Sequence, residues 1–339
     1  MIPIQNIYYM LSYAFQVLNE QGYKNIATEQ FHNTAELMAA ILEKGIAIQL
    51  KRGLGKEYIP QTEALSSLRG KIDIAESIKT QSMLRKQLIC TYDEFSVNSI
   101  MNQIIKSTVE LLLRSNISKQ RKKNLRKLMV YFSEVDFIDL YTVNWNVQTY
   151  RMLISICYLV VKGLLQTQSN GHTKLMDFLD EQRMCRLYEK FILEYYRKEF
   201  KNQITANASQ IPWQLDNEEN SMLPVMQSDI MLQSGEKVLI IDAKYYEHST
   251  QVQFDKHTLH SGNLYQIFTY VKNKEYELRE KDHTVSGMLL YAKTDEEIYP
   301  NNVYQMSGNQ IAVRTLDLNL PFDEIASQLN TIAKTHFDL

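Results

Sequence analysis

The chain has 339 residues, with 37 Lys and Arg against 39 Asp and Glu, and a formal net charge of −2. This length predicts about two domains, and 45% hydrophobic with 22% charged residues is an ordinary globular composition. The near-neutral charge excludes a histone-like polycation, so any contact with nucleic acid must come from local patches. Cys90, Cys157 and Cys185 are widely spaced and form neither a disulfide framework nor a CxxC zinc site.

Nothing in the chain resembles an export signal or a membrane anchor. The N-terminus lacks a basic region and is amphipathic. The longest apolar stretch, Met152 to Val161, is too short to span a bilayer. We therefore expect a cytoplasmic protein without membrane contact.

The first half of the chain shows helical spacing of its apolar residues. Predicted helices cover residues 6–18, 34–50, 99–114, 118–132 and 149–165. Residues 51–78 instead hold short extended pieces broken by Gly and Pro, which predicts a small β-rich element. The polar run from Gln166 to Thr173 contains Asn-Gly and is the predicted linker.

After this linker the pattern changes to mixed α/β. The predicted elements are a helix at 183–200, strands at 226–232 and 237–245, a helix at 262–276, strands at 285–292 and 311–318, and a helix begun by Pro321. We therefore predict an α+β multidomain protein. Its N-terminal region would span 1–170, with a β-rich projection at about 51–98, and its C-terminal α/β domain would span 171–339.

The most informative residues follow an apolar, β-branched run that ends in Asp242-Ala-Lys244. Alternation along a strand puts Asp242 and Lys244 on the same face. A hairpin that closes near Ser234-Gly235 would fold the preceding strand, which begins at Asp229, back beside Asp242. Two carboxylates and one ammonium group would thus meet at one sheet edge.

A metal-dependent phosphodiesterase needs such a set of groups. Carboxylates are the ligands that Mg²⁺ prefers, and it needs only one or two from the protein. Asp229 and Asp242 would bind the metal, and Lys244 would orient the attacking water or offset charge on the phosphorane. The arrangement resembles the PD-(D/E)xK nuclease superfamily, with Ser228-Asp229 in place of Pro-Asp. Whether one or two metals bind stays open.

Two further features extend this interpretation. Gln266 and Tyr270 stand at i and i+4, hence on one helical face, directly after the candidate strand. This Gln-x-x-x-Tyr resembles the accessory motif of RecB-like nucleases. Glu189, in the preceding helix, would either lean toward the site or lie on a solvated face.

Two other candidate motifs give weaker evidence of function. His257 and His260 have metal-like spacing without a third ligand, which favours surface or helix-cap histidines. The segment from Gly53 to Lys56 is not a P-loop, so this chain should not itself hydrolyse nucleotides.

The run from Lys119 to Lys127 is the strongest basic cluster. It fits a solvated helix face, a phosphate track or a surface for an acidic partner. Tyr8, Tyr9 and Tyr13 indicate core or interface rather than a base-stacking platform.

Most of the chain resembles the McrC subunits of McrBC modification-dependent restriction systems. The family's opening motif stands here as Ile2-Pro-Ile-Gln-Asn-Ile-Tyr-Tyr-Met-Leu-Ser-Tyr-Ala14. Further matching motifs are Arg52-Gly53-Leu54, Gly70-Lys-Ile72, Asn102 to Thr108, Asp229-Ile230, Lys237 to Tyr246 and His260 to Gln266. The opening motif is specific to the family, whereas the Asp-Ala-Lys core alone is not.

The resemblance implies a type IV restriction endonuclease subunit whose C-terminal half cleaves double-stranded DNA carrying modified bases such as 5-methylcytosine. It implies an oligomeric AAA+ GTPase partner, McrB, which binds the GTP and reads the modified base. It also implies that the N-terminal half docks on this partner. Residues 249–256 lack the paired arginines of some relatives, so no role is assigned to that loop.

Two alternatives remain. The chain could be a GTPase-activating regulatory protein with a nuclease-fold scaffold, or a stand-alone RecB-like nuclease, which the large N-terminal half disfavours. For docking, we expect the first helix to expose Tyr8, Tyr9 and Tyr13. We also expect the β-rich projection to enter the partner's pore, so that residues 1–170 alone would stimulate GTP turnover.

Overall fold

The structure is a computed structural model that describes residues 2–15, 26, 29, 31–143, 145, 150–169, 181–217, 222–246, 251–253, 256–293 and 299–339. The chain divides into two compact units. Residues Asn33–Phe178 form one, the helical unit. Met1–His32 and Leu179–Leu339 together form the other, the sheet unit. Within the described ranges no helix is both long enough and apolar enough to cross a membrane.

The helices are α1 (Ile4–Ala14), α2 (Thr34–Arg52), α3 (Ile74–Lys79), α4 (Ile100–Arg114), α5 (Lys119–Met129), α6 (Arg151–Ser169), α7 (Glu181–Glu199), α8 (Ser261–Glu277) and α9 (Phe322–Phe337). The strands are β1 (Glu57–Leu65), β2 (Lys71–Asp73), β3 (Leu88–Ser96), β4 (Thr205–Asn207), β5 (Gln210–Ile211), β6 (Met226–Gln227), β7 (Ile230–Ser234), β8 (Lys237–Lys244), β9 (Gln251–Gln253), β10 (Lys256–Thr258), β11 (Thr284–Ala292), β12 (Asn302–Met306) and β13 (Asn309–Leu316). Short 3₁₀ turns cover Ser82–Arg85 and Val130–Phe132.

The helical unit packs α2, α4, α5 and α6 around one apolar core. The fully buried side chains include Leu37, Ile41, Ile104, Val109 and Leu125. Leu37 and Ile41 on α2, and Ile105 and Val109 on α4, are four residues apart, so each of these helices presents an apolar face to the core. The predicted helices of this region are confirmed to within a few residues.

A small antiparallel sheet in the order β1-β3-β2 is inserted between α2 and α4. Its predicted β character is confirmed, but residues 74–79 form helix α3 rather than an extended piece. The Asp73 side chain caps that helix by accepting from the Glu76 N–H at 2.9 Å. Large apolar side chains on this insertion stay exposed, with Tyr58 at 72% and Leu84 at 81%.

The sheet unit is built on a six-stranded mixed sheet in the order β12-β13-β11-β8-β7-β4. Strands β8, β11 and β13 run parallel, and β7 and β8 form an antiparallel hairpin. Gly235 takes a φ of +56° in the hairpin turn, a conformation that favours glycine. Helix α8 packs on one face of the sheet through Ile267 and Val271.

Helix α1 belongs to the sheet unit, which differs from the predicted division at residue 170. Tyr8 and Tyr13 are buried, and Tyr9 stacks on Phe322 with 4.4 Å between the ring centroids. The Asn6 amide donates to the backbone oxygens of Leu318 and Leu320 at 2.8 Å each. The expected exposure of the three tyrosines is therefore wrong, because α1 packs against the aromatic rings of α7 and α9.

The predicted linker also differs from the structure. Residues 166–169 form the last turn of α6, and residues 170–173 lie outside the described part of the chain. Strands β4 and β12 were not predicted from the sequence. They are short, with three residues in β4 and five in β12. Such short runs show no clear alternation.

Candidate active site

The hairpin of β7 and β8 brings the two predicted carboxylates together. Ile230 pairs with Ile241, so Asp229 lies beside Asp242 at the end of the ladder. The backbone N–H of Ala243 donates to Asp229 Oδ2 at 2.9 Å. The predicted hairpin geometry is confirmed.

Asp242 and Lys244 form a buried ion pair. Lys244 Nζ lies 2.8 Å from Asp242 Oδ2, and the two side chains are 13% and 1% exposed. The other oxygen, Asp242 Oδ1, has no hydrogen-bond donor among the described residues. A buried carboxylate oxygen without a donor is costly, because nothing replaces the water that it loses. Such an oxygen is a position that a cation would stabilise.

The electrostatics of the site reflect its crowded charge. Burial, together with the carboxylates of Asp242 and Glu189, raises the pKa of Asp229 to about 8. Burial alone would lower the pKa of Lys244, but Asp242 and Asp229 outweigh it and raise that pKa above its usual range. Without a further positive charge, the site therefore disfavours ionisation of the Asp229 carboxyl group.

Helix α8 supplies the second predicted pair. Lys244 Nζ donates to Gln266 Oε1 at 3.3 Å, and Gln266 Nε2 donates to Tyr270 Oη at 2.9 Å. The ammonium of Lys244 is thus held between Asp242 on its own strand and Gln266 on the neighbouring helix. The i, i+4 spacing places Gln266 and Tyr270 on the helix face that meets the sheet.

Glu189 is half-buried on α7 rather than lying on a solvated face. The Cys185 thiol donates to Glu189 Oε1 at 3.0 Å. Burial raises the pKa of Glu189, while Cys185 and Lys244 oppose that shift. Burial and the bond to Glu189 raise the pKa of Cys185 to about 12. Sequence reasoning did not assign Cys185 to this site, although it stands one helical turn before Glu189.

A polar network beside the site was also missed. The Asn263 amide donates to Tyr291 Oη at 2.9 Å and accepts from Tyr246 Oη at 3.3 Å. Tyr291 stands opposite Lys244 in the register of β8 and β11. The only sequence signal was the position of Asn263 three residues before Gln266, which places both on one helical face.

Asp229 and Asp242 are the residues that could hold a divalent cation. No cluster of three or more His, Cys, Asp or Glu with metal-binding spacing occurs in the described ranges. Asp229 and Asp242 nevertheless offer two adjacent carboxylates and one oxygen that lacks a donor. Because Mg²⁺ needs only one or two protein carboxylates and keeps several waters, these residues fit such an ion.

Of the two histidines with metal-like spacing, His260 lies at the start of α8. His260 is the N-cap residue of α8, without a side-chain capping bond, and its ring lies 5.3 Å from that of Tyr246. The side chain of His257 lies outside the described part of the chain, as does most of the loop at 249–256.

Comparison with known proteins identifies the chain. Residues 5–292 match the family described as "McrBC 5-methylcytosine restriction system component". The chain is also 30% identical to the Type IV methyl-directed restriction enzyme EcoKMcrBC of Escherichia coli K12, over 97% of this chain and 96% of that relative. By class, therefore, it is a component of a restriction system.

Two solved structures match the chain at low identity. One is a half-complex of Thermococcus gammatolerans McrB AAA+ hexamers with bound McrC, with 17% identity, a TM-score of 0.48 and coverage of 97% of this chain and 76% of that one. The other is a T. gammatolerans McrBC complex, with 19% identity, a TM-score of 0.40 and coverage of 58% and 59%. On the two sequence matches, this chain belongs to the McrBC family.

Proposed function

We propose that this chain is the DNA endonuclease subunit of a GTP-dependent, modification-dependent restriction complex, and that it cleaves DNA by Mg²⁺-dependent phosphodiester hydrolysis. The observation that carries the proposal is the chain of contacts from Asp242 through Lys244 to Gln266, set beside Asp229. A purely structural sheet edge has no need for two adjacent carboxylates, because their mutual repulsion is unfavourable.

Each residue has a role in this proposal. Asp229 and Asp242 would hold Mg²⁺, which when bound supplies Lewis-acid stabilisation of the phosphate and lowers the pKa of a bound water. Lys244 would donate to the attacking water or to a phosphate oxygen. Gln266 would orient the Lys244 ammonium, and Tyr270 would hold the Gln266 amide in place. Glu189 would add negative charge to the site from α7.

We further propose that the chain binds and stimulates a McrB-like AAA+ GTPase oligomer, which would itself bind GTP. Family membership supports this partner, and a solved relative is described as McrC bound to McrB AAA+ hexamers. The three-stranded sheet of the helical unit is the proposed contact. Exposed apolar side chains on the sheet (Tyr58, Phe95) and on the 3₁₀ turn before β3 (Leu84) suit insertion into a partner's pore.

The test uses the complex of the chain with its GTPase partner and duplex DNA carrying 5-methylcytosine. Asp242→Asn keeps the shape of the side chain but removes its charge, so cleavage should fall by at least about 10²-fold while GTPase stimulation stays intact. Asp282→Asn, at an exposed position outside the site, is the matched control. Undiminished cleavage by the Asp242→Asn complex would refute the nuclease proposal.

A regulatory protein with a nuclease-fold scaffold is the second candidate. It is favoured by the ion pair of Lys244 with Asp242, which offsets the charge of the buried carboxylate without a metal. Titration with Mn²⁺ separates the two functions, because a working site binds the ion and loses it in Asp229→Asn and Asp242→Asn. GTPase stimulation without metal binding or cleavage would support the regulatory function.

A further inference from the structure

Helix α5 carries a stripe of positive charge that the proposed nuclease site does not use. Its eleven residues include six Lys and Arg and no acidic residue, in a chain whose net charge is −2. Five of the six lie in one band of the helix surface, which runs from Lys122 beside the buried face to Lys123 and Lys127 opposite the buried Leu125, since 3.6 residues make one helical turn. We call them the α5 stripe: Lys119, Lys122, Lys123, Arg126 and Lys127.

The opposite face of α5 fixes the helix to the core of the helical unit. Leu125 is fully buried, and Arg121 pairs with Glu43 at 2.8 Å and with Glu36 at 3.4 Å. Asn124 also donates to Glu43, at 2.9 Å. The stripe is therefore presented on a rigid platform rather than on a mobile arm, which lowers the entropy cost of binding.

None of the five stripe cations has an ion-pair or hydrogen-bond partner in the part of the chain that the structure describes. Arg126 and Lys127, in the last turn of α5, suit the helix macrodipole, but the other three cations do not. Lys119 and Lys122 stand near its N-terminus, where the macrodipole is positive, and Lys119 and Lys123 are like charges at i, i+4. Helix stability alone therefore does not explain why these cations cluster on one helix. Binding of an external anion would explain it.

We propose that the α5 stripe binds the phosphodiester backbone of duplex DNA without reading its sequence. The stripe is about 12 Å long at 1.5 Å per residue. A DNA duplex of that length carries about seven phosphate charges. Four of the five cations are lysines, a residue depleted from protein–protein interfaces, so charge complementarity favours nucleic acid over an acidic protein. The inference rests on the proposed function only in taking DNA as the substrate.

The experiment measures binding of the full-length chain to a fluorescent, unmodified 30-base-pair duplex by anisotropy, in EDTA, between about 50 and 300 mM salt. The test variant combines Lys119→Gln, Lys122→Gln, Lys123→Gln and Lys127→Gln. The matched control combines Lys51→Gln, Lys201→Gln, Lys281→Gln and Lys334→Gln, four exposed lysines elsewhere. A third variant replaces the four stripe lysines with Arg, which keeps the charge.

Loss of up to four phosphate contacts should make the slope of log K against log salt less negative by up to about 3.6. Affinity at 100 mM salt should fall at least about tenfold. The matched control and the Arg variant should bind like the wild type. Binding of the Gln variant with unchanged affinity and slope would overturn the proposal. So would loss of GTPase stimulation with unchanged DNA binding, which would identify an acidic partner surface instead.

Failure of this proposal is distinguishable from failure of the nuclease proposal. EDTA prevents metal-dependent cleavage, so the assay reports binding alone. Asp282→Asn, at an exposed position outside the nuclease site and the α5 stripe, should bind DNA with the wild-type affinity and slope. Circular dichroism of the Gln variant should show an intact fold, because removing like charges at i, i+4 relieves repulsion.

Discussion

The Asp229 carboxylate accepts a hydrogen bond from the backbone N–H of Ala243, the residue between Asp242 and Lys244. This contact ties one strand of the hairpin to the other at the point where the ladder ends. The separation of the two carboxylates is therefore set by strand pairing rather than by a loop. A site built on paired strands keeps its geometry better than one built on loops.

Gln266→Ala should lower DNA cleavage by about 10- to 100-fold, because Lys244 loses the oxygen that orients it from α8. Tyr270→Phe should have a smaller effect, since it removes only the bond that holds the Gln266 amide. The double variant should be little worse than Gln266→Ala alone, because both residues act through one chain of contacts. Cleavage rates in the assembled complex test this, and additive effects would show that the two residues act independently.

Gly287→Ala should destabilise the sheet unit by about 1–3 kcal/mol. An added Cβ would lie 2.8 Å from Ile267 Cγ1 and 2.8 Å from Val271 Cγ2, so α8 would have to move away from β11. The control is Gly262→Ala in α8, where an added Cβ would have no atom within 4 Å. It should be neutral or slightly stabilising. Urea unfolding measures both, and equal midpoints would contradict the close packing of α8.

Asn6→Ala should destabilise the sheet unit by about 2 kcal/mol, because it removes the side-chain donor to the buried carbonyl of Leu318 and to the half-buried carbonyl of Leu320. Hydrogen exchange should then speed up in α7 and α9, while α4 in the helical unit keeps its protection. Loss of protection in α4 instead would show that α1 supports the helical unit. For the same reason, a fragment of residues 1–170 would expose the apolar face of α1.

His336 should make the sheet unit less stable in mild acid. Burial, and to a lesser degree the Lys237 ammonium, lowers the pKa of His336 below its usual 6.5. The folded state thus favours the neutral ring, so the stabilisation is present above pH 6.5 and is lost as pH falls through the folded-state pKa.

The matched measurement is the free energy of unfolding from pH 7 to pH 5. It should fall more steeply for the wild type than for His336→Gln, by at most about 1.4 kcal/mol per pH unit. His32→Gln, at an exposed position, is the control and should follow the wild type. Parallel curves for wild type and His336→Gln would contradict the proposed burial effect.

The part of the candidate site that could be predicted from the sequence depends on short-range periodicity. Alternation along β8 puts Asp242 and Lys244 on one face, and helical spacing aligns Gln266 with Tyr270. The Ser234-Gly235 turn sets the register that returns Asp229 to Asp242. Each of these relationships spans a few residues or one hairpin, so local stereochemistry is enough to predict it.

Tertiary structure alone decided the rest, because those contacts join residues far apart in the chain. The sequence of α1 shows an apolar helix but not its partner, and the aromatic residues that cover it lie about 180 to 310 positions later. The bond between Asn263 and Tyr291 depends on α8 docking against β11. Likewise, Glu189 meets the site only because α7 packs on the hairpin that carries Asp229 and Asp242. Packing rather than local propensity determines these contacts. Burial of apolar surface is favourable but non-directional, so the faces that come together are those whose shapes fit.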